Sequence, residues 1–468
     1  MTIQRIALWL GPLGFLATLL TAAPAGMPDL AWPTAGLVWW MALWWMSEAL
    51  PLYATAFLPF VVLPLLGVAD ATKTAAAYYS PIMFLFLGGA FLALAIERTG
   101  LHRRLALAIL SRTGGSNGRL LLAVMATTAL MSMFISNTST ALIMMPMAVA
   151  MLASGGVREG QTHGIAGALP MGIAFAASIG GLGTLVGSPT NAIAAGLLDK
   201  SLGIKLTFAE WAYYALPVVV LAVPLAALII ARVQRLNEDG FDPASARHAI
   251  RQAAEWSIAE KRLLPVFVLT VLAWFTQYWT EPLFPKGGLT DGTIAVIAGL
   301  TLFVLPDGTG RPMLTWPEAN RAPWDVVLMF GGGLALAMGM TASGLADWLG
   351  QMLLPLKAVP LPIVALVVVG FVVIITEFAS NVAAASGIMP VVAALVVALG
   401  ADPILLALPA ALAASWGFML PSGTGPNAIA WATGHVSLPR VLKAGLLLDL
   451  AGVFLLVGVI WGMAALAG

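Results

Sequence analysis

The sequence predicts an all-α polytopic membrane protein: eleven transmembrane helices plus two re-entrant hairpins, in two inverted-topology repeats. Three observations carry this. Of 468 residues, 60% are hydrophobic and only 9% are charged, against about 25% charged in a soluble domain. The apolar runs reach the ~20 residues that a helix needs to cross a bilayer, and none has the ~10-residue alternation of a β-barrel strand. Finally, a set of motifs recurs at near-constant spacing, with polar breaks at matching places inside apolar stretches.

The same composition excludes several function classes. A net charge of +1 without a basic stretch argues against nucleic acid as a partner. With no Cys there are no disulfides, no thiolate metal sites and no Cys nucleophile. The four histidines (His102, His163, His248 and His435) are too scattered for a metal cluster.

The expected spans run 5–22, 33–50, 51–67, 78–97, 164–199, 211–234, 262–281, 289–306, 323–343, 403–434 and 441–467. The first, with Arg5, an apolar run from Ile6 to Leu20 and Ala23-Pro24-Ala25, resembles a signal peptide but is read as a retained span. The stretches 118–153 and 359–399 each hold a polar break at the centre and are read as hairpins that enter and return on one side, since irregular backbone at membrane depth must be buried in protein or line a cavity. With the N-terminus in the cytoplasm and the C-terminus outside, 17 Lys and Arg fall on the inner side and 5 on the outer, as the positive-inside rule requires. The domain reading is a first inverted repeat over 1–235, containing hairpin 118–153 and broken span 164–199; a cytoplasmic, partly helical linker over 236–262; and a second inverted repeat over 263–468, containing hairpin 359–399 and broken span 403–434.

The repeat is visible residue by residue. Phe86-Leu87-Gly88-Gly89 recurs as Phe330-Gly331-Gly332-Gly333, Gly100-Leu101 as Gly344-Leu345, Ser136-Asn137 as Ser380-Asn381 and Met145-Pro146 as Met389-Pro390, all 244 residues apart. Asn191-Ala192-Ile193-Ala194 recurs as Asn427-Ala428-Ile429-Ala430, 236 apart, so eight residues are missing between the second hairpin and its next helix. Five crossings separate equivalent points, and an odd number inverts the second half. Inverted repeats interrupted at matching positions mark a secondary transporter with its site near the midplane.

Each half contributes two breaks: Ser132 to Thr138 and Gly187 to Asn191, then Thr376 to Val382 and Ser422 to Asn427. Gly and Pro open the helix there. The freed carbonyls, with Ser, Thr and Asn oxygens, suit a small hard cation, and freed amides at half-helix N-termini suit an anion. No Lys, Arg or His lies mid-span in this layout, so an anion must rely on helix termini, hydroxyl and amide donors and co-bound cations. A neutral ligand fits the same groups.

These motifs, with Ser47-Glu48-Ala49-Leu50-Pro51, resemble the divalent anion:sodium symporter family over nearly the whole chain. The resemblance implies a homodimer in which a transport domain moves elevator-fashion against a scaffold, in a bacterial inner membrane among lipid, with a small anionic substrate, sodium as coupling ion and no organic cofactor. The substrates it implies are C4-dicarboxylates such as succinate, malate or fumarate, or citrate, or sulfate, with obligate anion exchange as the alternative to symport. Carried over by motif, one sodium site uses Ser132, Ser136, Asn137 and the Gly187 region; its mirror uses Thr376, Ala379, Ser380, Asn381 and Gly423. The implied substrate contacts are Asn137, Thr138, Ser188, Asn381, Thr424 and Pro426. One departure is Val382, where the family's usual motif has Thr.

Other residues read more plainly. Glu377 is either a proton or cation group or a hydrogen-bonded group at the hairpin base, and Glu48 is structural. Trp39, Trp40, Trp44 and Trp45 read as interface or dimer packing, Met144, Met145 and Met147 as packing, and Gly331-Gly332-Gly333 as a close-packing face. A membrane enzyme would need a nucleophile with its base, paired aspartates or a motif such as His-Glu-x-x-His, which the sequence lacks; a channel would not need two inverted broken sites.

The Val382 departure is testable. Val and Thr are nearly isosteric, and a hydroxyl on a charged oxygen contributes about 1.5–3 kcal/mol. Val382→Thr should tighten substrate or shift the preference between succinate and citrate in uptake competition. An unchanged affinity and preference would place Val382 away from the substrate.

Overall fold

The computed structural model describes residues 3–110, 116–158, 160–236, 241 and 255–467. The first half comprises α1 (Ile3–Leu20), α2 (Ala31–Ser47), α3 (Leu52–Thr55), α4 (Leu58–Leu65), α5 (Ala71–Ala77), α6 (Ile82–Thr99), α7 (Leu101–Leu110), α8 (Asn117–Ser132), α9 (Asn137–Ser154), α10 (Ile165–Gly181), α11 (Pro189–Leu202) and α12 (Phe208–Gln234). The second comprises α13 (Ile258–Thr280), α14 (Asp291–Val304), α15 (Trp316–Ala319), α16 (Trp324–Ala342), α17 (Leu345–Leu353), α18 (Leu361–Phe378), α19 (Asn381–Leu399), α20 (Pro403–Ala413), α21 (Gly425–Ala432) and α22 (Leu438–Ala467). Among the described residues the only β feature is an isolated bridge between Pro306 and Pro312.

The chain is therefore an all-helical integral membrane protein. Among the described residues, eight helices (α1, α6, α9, α12, α16, α18, α19 and α22) are long and apolar enough to cross a bilayer, and shorter apolar segments cover Leu52–Leu65, Ile165–Gly181, Asp291–Val304 and Pro403–Ala413. Length alone does not describe α9, α18 and α19, however. The α8 and α9 arms both pack against α10, and the α18 and α19 arms both pack against α20, so each pair lies alongside one helix instead of continuing in line. The greater part of the linker expected to be partly helical, at 237–240 and 242–254, lies outside the described residues. Beyond it α13 opens on a capping box, with Ser257 accepting from the Glu260 amide and Glu260 accepting from the Ser257 amide.

The repeat is built into the backbone. Asn137 opens α9 and Asn381 opens α19, 244 residues apart. The preceding residues cap them identically: Ser136 Oγ accepts from the Ser139 amide at 3.2 Å and Ser380 Oγ from the Ala383 amide at 3.2 Å, each cap contributing ~1 kcal/mol. Gly100 and Gly344 join α6 to α7 and α16 to α17 at φ of 79° and 78°, a left-handed turn that Gly enters without steric cost.

Each half has a buried post. Every residue of α10 from Ile165 to Gly181 is buried, with α8, α9, α12 and α21 around it. In the other half, Leu406 to Ala413 of α20 are buried among α18, α19 and α22. Small residues allow this approach: a side chain at Gly180 would overlap the Ala129 backbone on α8, and one at Gly332 would lie 2.6 Å from the Ala56 carbonyl. The glycine run 331–333 is thus a packing face, and Met144 and Met145 are buried in the core. The tryptophans act within the chain. Trp40 and Trp44 cover Gly11, Trp44 Nε1 donates to the Ala7 carbonyl at 3.0 Å, and Trp45 Nε1 donates to the Leu52 carbonyl at 3.0 Å. Trp40, Trp44 and Trp45 thus bind α1, α2 and α3 together inside one chain, while Trp39 of the same cluster is exposed. Glu48 ends α2 with a left-handed φ of 49°.

The post packing makes a contrast between two glycines. Gly180→Val should give no monodisperse protein on size exclusion in detergent, because backbone atoms of Ala129 cannot move aside. Gly118→Ala, at an exposed position with open space around it, should elute as the parent protein does.

Candidate functional site

The tip of the first hairpin meets its broken span through oxygen atoms. Ser132, the last residue of α8 and fully buried, places Oγ 2.8 Å from Asn137 Oδ1 and 2.6 Å from the Ala177 carbonyl. The second half repeats this: Thr376 Oγ1 lies 3.0 Å from Asn381 Oδ1 and 2.7 Å from the Ala414 carbonyl. A hydroxyl has one hydrogen, so it cannot donate to two acceptors at once. In each half three oxygens converge with one proton among them.

Main-chain carbonyls also line these clusters. A Cβ at Gly187 would lie 2.6 Å from the Gly181 carbonyl and 3.0 Å from those of Ser132 and Met133. At the matching Gly423 it would lie 3.3 Å from the Leu420 carbonyl and 3.5 Å from that of Glu377, and at Gly417, 3.3 Å from that of Thr376. Glycine is what lets these carbonyls close in. A cluster of neutral oxygens with too few protons is a donor set for a hard cation, and the residues present fit sodium in both halves. Among the described residues, no group of His, Cys, Asp and Glu suits a transition metal.

The bends are held by asparagine amides. Asn191 Nδ2 donates to the carbonyls of Gly181 at 2.7 Å and Thr184 at 2.8 Å; Asn427 Nδ2 donates to the Leu420 carbonyl at 3.1 Å. Both asparagines are buried.

The two halves also meet. The Thr138 hydroxyl stands against Gly425 at the start of α21, α9 packs on α21, and α11 packs on α19. The N-termini of α9 and α21 therefore meet, while α11 and α19 pack on one another along the second contact between the halves. The first-turn amides of a helix have no intrahelical acceptor and favour an anion. Ser188 precedes α11 in extended backbone, is buried, and makes no side-chain cap bond; Thr424 instead caps α21 by accepting from the Asn427 amide at 3.3 Å. Pro426 is buried in the first turn of α21. Val382 is half-buried and packed against core residues.

The structure thus brings Ser132 and Asn137 together with the Gly187 region, Thr376 and Asn381 together near Gly417, and Thr138 to Gly425. Ala379 ends α18 in extended backbone and is buried. Ser136 and Ser380 cap their own helices. The sequence reading missed the Ala177 and Ala414 carbonyls, Thr184, and the glycine pair Gly181 and Gly417. That pair is 236 residues apart, so extending the repeat by one more motif reveals it. It also missed Asp449, an isolated acid in α22 without a motif.

Comparison with known proteins places this geometry. A sequence model described as the sodium:sulfate symporter transmembrane region matches residues 7–467. A sodium-dependent dicarboxylate transporter SdcS of Staphylococcus saprophyticus is 36% identical over 98% of this chain and 91% of that protein, and the SdcS of Staphylococcus aureus strain USA300 is also 36% identical over the same shares. Among solved structures, the Alcanivorax borkumensis YdaH transporter superposes with a TM-score of 0.59 at 14% identity, covering 100% of this chain and 99% of that one; the likeness is one of fold.

The carbonyl cluster at Gly187 predicts a specific lesion. Gly187→Ala should abolish the extra thermal stability that sodium chloride, relative to choline chloride, gives the detergent-solubilised protein. Gly118→Ala should retain it. Full sodium stabilisation in Gly187→Ala would detach this cluster from cation binding.

Proposed function

The chain belongs to the sodium:sulfate symporter family, and on that premise we propose that it couples sodium entry to the uptake of a divalent anion, in first place a C4-dicarboxylate such as succinate, malate or fumarate. The observation that carries this is the doubled, proton-poor hydroxyl cluster at the hairpin tips, with no Lys, Arg or His in any of the four breaks. A dianion held only by amides and hydroxyls in a low-dielectric interior needs countercharge, and a cation at each cluster supplies it. Names of relatives that transport dicarboxylate with sodium support the substrate class; the family description makes sulfate the substrate to test beside it.

In this reading Asn137 and Asn381 serve both ligands. Each turns Oδ1 toward its hydroxyl cluster, leaving its amide nitrogen for a carboxylate. Thr138, Ser188, Thr424 and Pro426 complete the anion contacts, and Ser136, Ala379 and Ser380 complete the cation sets. The sodium ions make the hairpin tips complementary to the anion, so neither ligand is held well alone, which is the basis of coupling.

The topology that goes with it has eleven spans (α1, α2, α3–α4, α6, α10–α11, α12, α13, α14, α16, α20–α21 and α22) and two re-entrant hairpins (α8–α9 and α18–α19). The N-terminus lies in the cytoplasm and the C-terminus outside, in a bacterial plasma membrane. The hairpins and broken spans form a transport domain that moves as an elevator against the remaining spans in a homodimer.

Purified protein in proteoliposomes, with radiolabelled succinate, citrate and sulfate, tests the proposal. Succinate should accumulate under an inward sodium gradient and stop when potassium or choline replaces sodium. Exchange that survives the replacement would establish an antiporter, and accumulation of sulfate without succinate would move the substrate class. Asn137→Ala and Asn381→Ala should each fold and lose uptake, since an unsatisfied buried polar partner costs ~1–3 kcal/mol.

A further inference from the structure

The two halves hold their unwound spans with different devices. In the first, the Met133 carbonyl accepts from the Thr184 hydroxyl, and Thr184 Oγ1 accepts from the Gly187 amide at 3.1 Å. Carried by the repeat spacings of 244 and 236, Met133 corresponds to Glu377 and Thr184 to Leu420. Leu420 has no hydroxyl. Instead the Glu377 carboxylate reaches across and accepts from the Met419 amide at 2.9 Å and the Leu420 amide at 3.0 Å. The polar partner has moved from the broken span to the hairpin, and the two substitutions compensate one another. The rest of the bend is shared, since Asn191 and Asn427 pin equivalent carbonyls.

The first half shows that a neutral device can hold this bend. Glu377 therefore brings something that the bend itself does not require. It is 1% exposed and follows Thr376 directly. A Cβ at Gly417 would lie 3.3 Å from both Glu377 Oε1 and the Thr376 carbonyl, so the carboxylate adjoins the second oxygen cluster. We infer that Glu377 is the positioning residue of the second cation cluster and gives it a negative charge that the first cluster lacks, so that the two sodium positions differ in affinity.

The charged surroundings are simple. On α18 to α21, residues 361–432, there is no Lys, Arg or His, and the only acids are Glu377 and Asp402, the latter capping the start of α20 through the Ile404 amide. From α22, Asp449 presents its carboxyl to that of Glu377. It is 4% exposed, and its polar neighbours are the Glu377 carboxyl and the Phe418 backbone. Lys443, six residues before Asp449 on the same helix, is the nearest basic residue in sequence. Two backbone amides hold the Glu377 carboxylate in place, and a cation in the adjoining cluster is its natural counterion.

The inference rests on the sodium-site reading proposed above, and the experiment separates the two. If the parent protein transports without sodium, that reading falls, whatever Glu377 does. If it is sodium-dependent, two variants decide. Because Asp449 presents a second carboxyl beside Glu377, the first is the pair Glu377→Gln with Asp449→Asn. The second is Glu377→Met with Leu420→Thr, which installs the neutral device of the first half. Both should fold, and both should raise the sodium concentration for half-maximal uptake about tenfold, the loss of one close buried countercharge. The succinate KM at saturating sodium should stay within about twofold of the parent, because the anion contacts are untouched. Sodium-induced thermal stabilisation in detergent reads the same shift without transport. Parental sodium dependence in both variants overturns the inference. So does failure of both to fold, which makes Glu377 a structural bolt.

Discussion

The rest of the molecule depends on one imbalance: a membrane interior that gathers oxygen lone pairs faster than it supplies protons. Ser132 and Thr376 each face two further oxygens with a single hydrogen, and carbonyls of residues 132, 133 and 181 close on Gly187. Water cannot freely relieve such a cluster at bilayer depth, and no basic side chain lies in the breaks. The helices must be interrupted to free these carbonyls, and an interrupted helix survives only if wrapped in protein. That is why α10 is buried along its whole length and why both arms of a hairpin lean on one post.

Duplication then turns one cluster into a two-ended site. Because the second half repeats the first, α9 packs on α21 and α11 on α19, and the start of α9 meets the start of α21 at Thr138 and Gly425.

The copies have since diverged in chemistry while keeping the backbone. Thr138 faces the other half with a hydroxyl, whereas Val382 cannot. Ser188 leaves its oxygen uncommitted, whereas Thr424 uses its own as a cap. Met133 and Thr184 form a neutral brace where Glu377 and Leu420 form a charged one. The Asn191 and Asn427 amides hold both bends in the same way, so the frame stays pseudo-symmetric while the side chains around it differ.

Composition, apolar run length and the recurring motifs were enough to determine an all-helical membrane protein, its duplication, its family and the positions where its helices break. Each of these is written in residue types: too few charges, runs of helix-spanning length, Ser-Asn pairs at fixed spacing. Tertiary structure decided what residue types do not encode. Every residue has a carbonyl, so nothing in the sequence marks Ala177 and Ala414 as the ones that meet Ser132 and Thr376. Tryptophan suits an interface or a helix contact equally, and only the glycines of α1 opposite α2 settle Trp40 and Trp44 as internal packing. Asp449 has no motif around it, and its meaning comes from facing Glu377 across more than seventy residues of chain. Local chemistry determines which segments must break. Which atoms then meet is fixed by packing, because that depends on distances between helices far apart in sequence.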